Sequence, residues 1–205
     1  MSLGAETPIN VVRLKMWKFP SSSPETASGY TSVMDLQKDD DNRLMSYQDT
    51  PNIATAQLYG CGELARQVIK NLGGALVYNI HALSNAERNA IFGETAGSTP
   101  PADSILKGNE VPPYFICAHA EELPNGHWNL YKYYKVQFTP GQFGTQQVEG
   151  NNVNFATTTL NGTYSKNNTT GINMMRRILY DIDPNDTITT GGADIVSSWF
   201  GTAFI

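Results

Sequence analysis

An Asn125-Gly126 dipeptide lies between two apolar-aromatic runs, Tyr114–Ala120 and Trp128–Phe138. Both residues tolerate positive φ, so this is the strongest short hairpin signal a sequence offers. It predicts two antiparallel strands joined at Glu121-Glu122-Leu123-Pro124-Asn125-Gly126. In the second run Trp128, Leu130, Tyr134, Val136 and Phe138 share one parity, and Asn129, Tyr131, Tyr133, Lys135 and Gln137 the other. That period of two makes a strand, with Lys132 the misfit on the apolar side. At about 3.3 Å per residue it runs roughly 35 Å, long enough to be expected to reach beyond its own core. A third run, Val153–Tyr164, switches apolar parity, which predicts a bulge or bend near Thr157-Thr158-Thr159.

The remaining segments place further strands around this hairpin. Ile9–Phe19 puts Val12, Leu14 and Met16 on one face and Arg13 and Lys15 on the other. Ile53–Tyr59 and Leu64–Ile69 flank Gly60-Cys61-Gly62; Leu64, Ala65, Val68 and Ile69 also fit helical spacing, but the run is short and bounded by glycine and reads as a strand. Gly73–Ile80 and Ile172–Tyr180 alternate as strands do, with Arg176 the exception. Ser84–Phe92 is the one convincing helix. Ser84 caps it, Glu87 completes a capping box, Leu83 is placed for a hydrophobic staple, and Gly93 follows the end. Residues 20–52 are polar and aperiodic, which predicts a long loop or arm, with a hairpin around Asp40–Asn42. Residues 94–112 predict a second long loop, and the aromatic tail with Trp199-Phe200 is expected to return to the sheet. The expected fold class is mainly β: a β-sandwich or half-barrel of about eight strands, one flanking α-helix and two long excursions, in a single domain over 1–205.

Charged residues are only 16% of the 205, and the formal net charge is -5. Grip on nucleic acid by phosphate neutralisation is therefore not expected. Cys61 and Cys117 form neither a metal motif nor a disulfide framework, and Cys117 reads as a buried free thiol. His81, His119 and His127 have no metal-ligand spacing. Asp39–Asp41 lacks the calcium-loop pattern. Glu121-Glu122, beside a turn, is expected to be solvated. No nucleophile elbow, phosphate loop or dinucleotide fingerprint occurs. No enzyme activity, cofactor or metal is expected. No run is apolar enough for a membrane span and no signal peptide is visible. The sequons at Asn161, Asn167 and Asn168 read as products of an Asn/Thr-rich composition.

The order of these pieces resembles the major tail proteins, or tail tube proteins, of long-tailed non-contractile bacteriophages. The resemblance rests on Val11–Trp17, Thr55–Tyr59, Gly73–Ile80 followed by Leu83–Gly93, Pro113–Ala118, the Asn125-Gly126 turn, Trp128–Phe138, Asn154–Thr163 and Trp199-Phe200. It spans most of the chain and is weakest over 25–52. It implies a structural subunit of the virion tail, assembled in the bacterial host cytoplasm from phage or prophage genes. Copies would form stacked homo-hexameric rings, contact other phage tail proteins, and let DNA pass through the lumen without specific binding. Lys38, Asp39, Asp40, Asp41, Arg43, Trp199 and Phe200 are the expected subunit or ring interface. The alternatives are a secretion-system tube protein of similar fold, or a β-sandwich binding module for a receptor or carbohydrate. The binding module would use Trp128, Tyr131 and Tyr133 as a sugar platform.

Overall fold

A computed structural model describes residues 7–20, 29–37, 44–61, 63–96, 105–106, 111–124, 127–140, 157–168, 171–180, 199–201 and 203. The fold is mainly β. Its strands are β1 (Asn10–Lys18), β2 (Thr31–Leu36), β3 (Leu44–Gly60), β4 (Glu63–Ile80), β5 (Thr95–Ala96), β6 (Ile105–Leu106), β7 (Tyr114–Glu122), β8 (His127–Thr139), β9 (Thr158–Tyr164) and β10 (Met174–Tyr180). Eight of them form one antiparallel sheet in the order β2-β1-β7-β8-β9-β4-β3, with β10 also paired to β8. β5 and β6 pair with each other.

The expected hairpin is present as β7–β8, where Glu122 lies opposite Trp128 and the Leu123 amide donates to the His127 carbonyl at 2.8 Å. Its Asn125-Gly126 tip lies outside the described residues. β8 does not reach beyond the core, contrary to the expectation from its length. It is the centre of the sheet, and both its faces are covered. Tyr133, Val136 and Phe138 enter one core; Trp128, Leu130 and Tyr134 enter a second on the opposite face. The even-numbered apolar residues therefore do not share a face. Phe115 pairs with Val136 but Cys117 with Tyr133, so β8 carries an extra residue there. That bulge inverts the parity of everything beyond it. At the same point β8 changes neighbour, pairing β10 over His127–Tyr133 and β9 over Val136–Thr139. Asn167, fully buried in the β9–β10 connection, holds the bulge by donating its amide to the Tyr134 carbonyl at 3.1 Å. A bulge in β1 between Val11 and Arg13 does the same for Val12. Val12 lies in the second core, while Leu14 and Met16 lie in the first.

The first core is the inside of a half-barrel. The sheet curls until β3 comes back against β1. Leu76, Tyr78 and Ile80 of β4 and Leu160 and Tyr164 of β9 face Leu14, Met16, Phe115 and Phe138 across it. A helix, α1 (Asn85–Phe92), covers it with Ile91 and Phe92. The helix forms as its sequence dictates. The Ser84 hydroxyl accepts from the Glu87 amide at 3.2 Å, and the Ser84 amide donates to Glu87 Oε2 at 2.8 Å. Leu83 packs on the first core, and Gly93 closes the helix at φ 72°.

The second core lies under the C-terminal tail. Trp199 and Phe200, in a helical turn at 199–201, pack with Ala203 on the outer face of β1, β7 and β8. The tail thus returns to the sheet as a turn of helix laid upon it. Lys132, completely buried in this layer, has its Nζ 5.1 Å from the Trp17 ring centroid and 5.3 Å from that of Trp199. Burial, with Lys15 nearby, lowers its pKa to about 7.

Two stretches expected as loops carry strands. β2 lies inside 20–52. Met34 and Leu36 face the core, while Asp35 on the other face bonds Arg13 at 3.0 Å and Lys15 at 2.9 Å. Six residues with a charge between the two buried ones give too short an alternation to stand out from polar flanks. β3 also begins inside that stretch, and the two strands beside Asp40–Asn42 pair with different partners, β2 with β1 and β3 with β4. The loop at 94–112 contains β5 and β6.

Candidate functional site

β3 and β4 are the longest strands, 17 and 18 residues. They pair with each other from Leu44/Ile80 out to Gly60/Glu63, but β9 accompanies β4 only over Gly74–Ile80. Among the described residues the pair runs on from Pro51/Gly74 as a two-stranded arm, roughly 30 Å long at 3.4 Å per residue. The exit point is set by Gly73 and Gly74. Gly73 has φ 120°, and a Cβ there would stand 2.1 Å from the Tyr164 carbonyl oxygen; one on Gly74 would stand 2.5 Å from that of Thr50. Only glycine lets the arm leave so close to the end of β9. The Leu64–Ile69 strand read from the sequence lies in the arm's outer half, with Gly60 of the expected Gly60-Cys61-Gly62 turn paired to Glu63 at its end; Gly62 lies outside the described residues.

The base of the arm is pinned inside the half-barrel. The Tyr47 hydroxyl of β3 donates to Glu121 Oε1, and Asn129 donates to Glu121 Oε2 at 3.1 Å. Arg176 in turn donates to Asn129 Oδ1 at 3.0 Å. The Tyr133 hydroxyl donates to Asp49 Oδ2 at 3.0 Å. His119, fully buried, stacks on Tyr131 and Tyr133 and meets the Tyr78 hydroxyl through Nδ1 at 3.0 Å. Burial lowers its pKa to about 3, so the ring is neutral at ordinary pH. Burial, reinforced by Glu121, pushes the Tyr47 hydroxyl far up. Glu121 is therefore not solvated as its place beside a turn suggested. It is 4% exposed and forms part of the seam that closes β3 over β7.

Beyond the base the arm is exposed on both faces. Seven of the eleven exposed large hydrophobic residues among those described lie on it: Ile53, Leu58, Tyr59, Leu64, Val68, Ile69 and Leu72, at 46–64% exposure. Charge is segregated between its faces. One carries Ile53/Asn71, Thr55/Ile69, Gln57/Gln67 and Tyr59/Leu64 as cross-strand pairs, with no charged residue. The Tyr59 hydroxyl donates to Gln57 along this face at 2.8 Å. The other carries Ala54/Lys70, Ala56/Val68, Leu58/Arg66 and Gly60/Glu63. Sequence reading found both strands but not that they form an arm. The available signal was Gly73-Gly74 interrupting one continuous alternation.

The expected interface residues separate. Trp199 and Phe200 are 1% and 2% exposed in the second core, so the chain itself consumes their apolar surface. Lys38, Asp39, Asp40, Asp41 and Arg43 lie outside the described residues. The proposed sugar platform is not at the surface. Trp128 and Tyr133 are buried, and Tyr131 is half-buried against His119 and Tyr47. β8 is central, which turns both parities inward. Cys61 at the arm's tip is exposed and Cys117 buried, and both thiols are free. Burial pushes the Cys117 thiol well up. Among the described residues no group of His, Cys, Asp and Glu is arranged to hold a metal. No described helix is long and apolar enough to cross a membrane.

No protein-family model matches this chain, and no curated protein matches its sequence.

Proposed function

We propose that this protein is a structural subunit of a bacteriophage tail tube, building stacked hexameric rings through which DNA passes. The observation that carries the reading is the β3–β4 arm. A two-stranded ribbon is marginal by itself in water, and one with large apolar residues on both faces is a surface awaiting a partner. The partner is another copy of the same chain. β2 and β3 end the sheet, each with one unpaired edge among the described residues, and such edges invite strand pairing between subunits. A contact between two different surfaces of identical copies closes into a ring or runs on as a filament, and a stacked tube uses both. A net charge of -5 suits a lumen along which DNA slides without sticking. The resemblance in the order of strands, helix and turns supports the same reading.

Negative-stain electron microscopy and light scattering of concentrated protein test it. Rings or tubes of uniform diameter are expected. A chain that stays monomeric across the whole accessible concentration range is not a tube subunit.

A further inference from the structure

We infer that the arm of one copy docks in the trough between β2 and α1 of the next. The inference rests on the assembly proposed above and names the surface that receives the arm. The trough is an open groove of about 660 Å³. Thr31, Ser32 and Val33 form one wall, with Lys18 of β1 paired beside Thr31, and Ala86 and Ala90 line the other. Ala86 and Ala90 are one helical turn apart, so two of the shortest side chains stand on the same stripe of α1 and keep the groove open. Thr31, Ser32 and Ala86 are exposed.

Three features select the arm as occupant. The trough borders β2, the first strand of the sheet order, and the arm extends from β3, the last. The two surfaces thus belong to opposite ends of one sheet, and joining them between copies is a head-to-tail contact. Desolvation then chooses the face. The trough carries one charged side chain of each sign, Lys18 and Glu87, the latter also capping the helix at Ser84. Turning the Glu63, Arg66 and Lys70 face inward would take three further charged side chains out of water. Turning the Ile53–Thr55–Gln57–Tyr59 face inward takes none of the arm's own charges out of water. Finally, the arm's apolar side chains gain cover that their own chain does not give them.

The test uses the full chain with Cys61→Ser, so that no native exposed thiol remains. A variant carrying both Gln57→Cys and Ala86→Cys, oxidised at assembly concentration, is expected to give a ladder of covalent oligomers. Each single-cysteine variant is expected to stay largely monomeric, because the two sites meet only each other. Ala86→Trp, at an exposed helix position, fills the groove. It should raise the concentration needed for assembly at least tenfold while leaving the melting temperature nearly unchanged. A ladder confined to the double variant supports the docking even if the tryptophan variant folds poorly. If the wild-type chain assembles, the ladder is absent and Ala86→Trp assembles normally, the trough is not the receptor and the tube reading stands. If the wild-type chain does not assemble at all, both fall.

Discussion

β8 and the outer half of the β3–β4 arm are both long alternating segments of one sheet, yet β8 is buried on both faces and the arm on neither. The difference lies in what surrounds them. β8 pairs β7 on one edge and β9 and β10 on the other, with a core above and a core below. Past Gly73, among the described residues, β4 has only β3 beside it, and the side chains on both faces are exposed. The aromatic rings of β8 stabilise this chain. The apolar residues of the arm contribute little to its fold and are available to another chain. Stability is therefore written in the body of the sheet, the assembly proposed above rests on the arm, and substitutions should separate the two.

The largest expected effect is on the β8 side. Trp128→Ala removes a ring that is 6% exposed and should cost about 3–5 kcal/mol. Urea unfolding measures it, and a near-unchanged midpoint would break the comparison by showing that this face is not a core.

An effect of opposite sign, at most comparable in size, comes from Lys132. Its pKa is 10.5 as an ordinary lysine and about 7 in the folded chain. Between those values the unfolded chain holds the proton and the folded chain does not. Stability from this group therefore rises with pH across that window, by up to ~1.4 kcal/mol per pH unit, and is flat below about 7. Lys132→Met should accordingly be stabilising near pH 7 and below, and its advantage should shrink as pH approaches 10.5. Melting curves of the two proteins at several pH values check this; a constant difference would mean that the lysine keeps its proton in the folded state.

The smallest effect on stability belongs to the arm. Leu58→Ser and Ile69→Ser replace residues 63% and 64% exposed and should each change unfolding free energy by no more than about 0.5 kcal/mol. Together they should suppress rings and tubes in electron micrographs. Normal tubes from a folded double variant would detach the arm from assembly.

Much of the local structure was legible because it rests on neighbours in sequence. The α1 capping box needs only Ser84 and Glu87 three residues apart, and the β7–β8 hairpin needs two apolar runs and a turn that tolerates positive φ. β2 was hidden because a six-residue edge strand with Asp35 between its buried residues has too little periodicity. The faces of β8 were misread because the bulge beside Tyr134 inverts parity without any residue type that announces it. Trp199 and Phe200 read equally as core or contact, since an aromatic pair near the end of a chain carries no mark of which surface it meets.

The sequence by itself determined the β-rich composition, the positions of most strands and the single capped helix, since propensity, alternation and turn chemistry act over a few residues. The tertiary structure decided which strand lies at the centre, which cation is buried between tryptophans, and which pair of strands leaves the body as an arm. Those outcomes depend on which strands become neighbours across the sheet. Alternation shows that a strand has two faces; only the layers packed against it decide whether either face meets water.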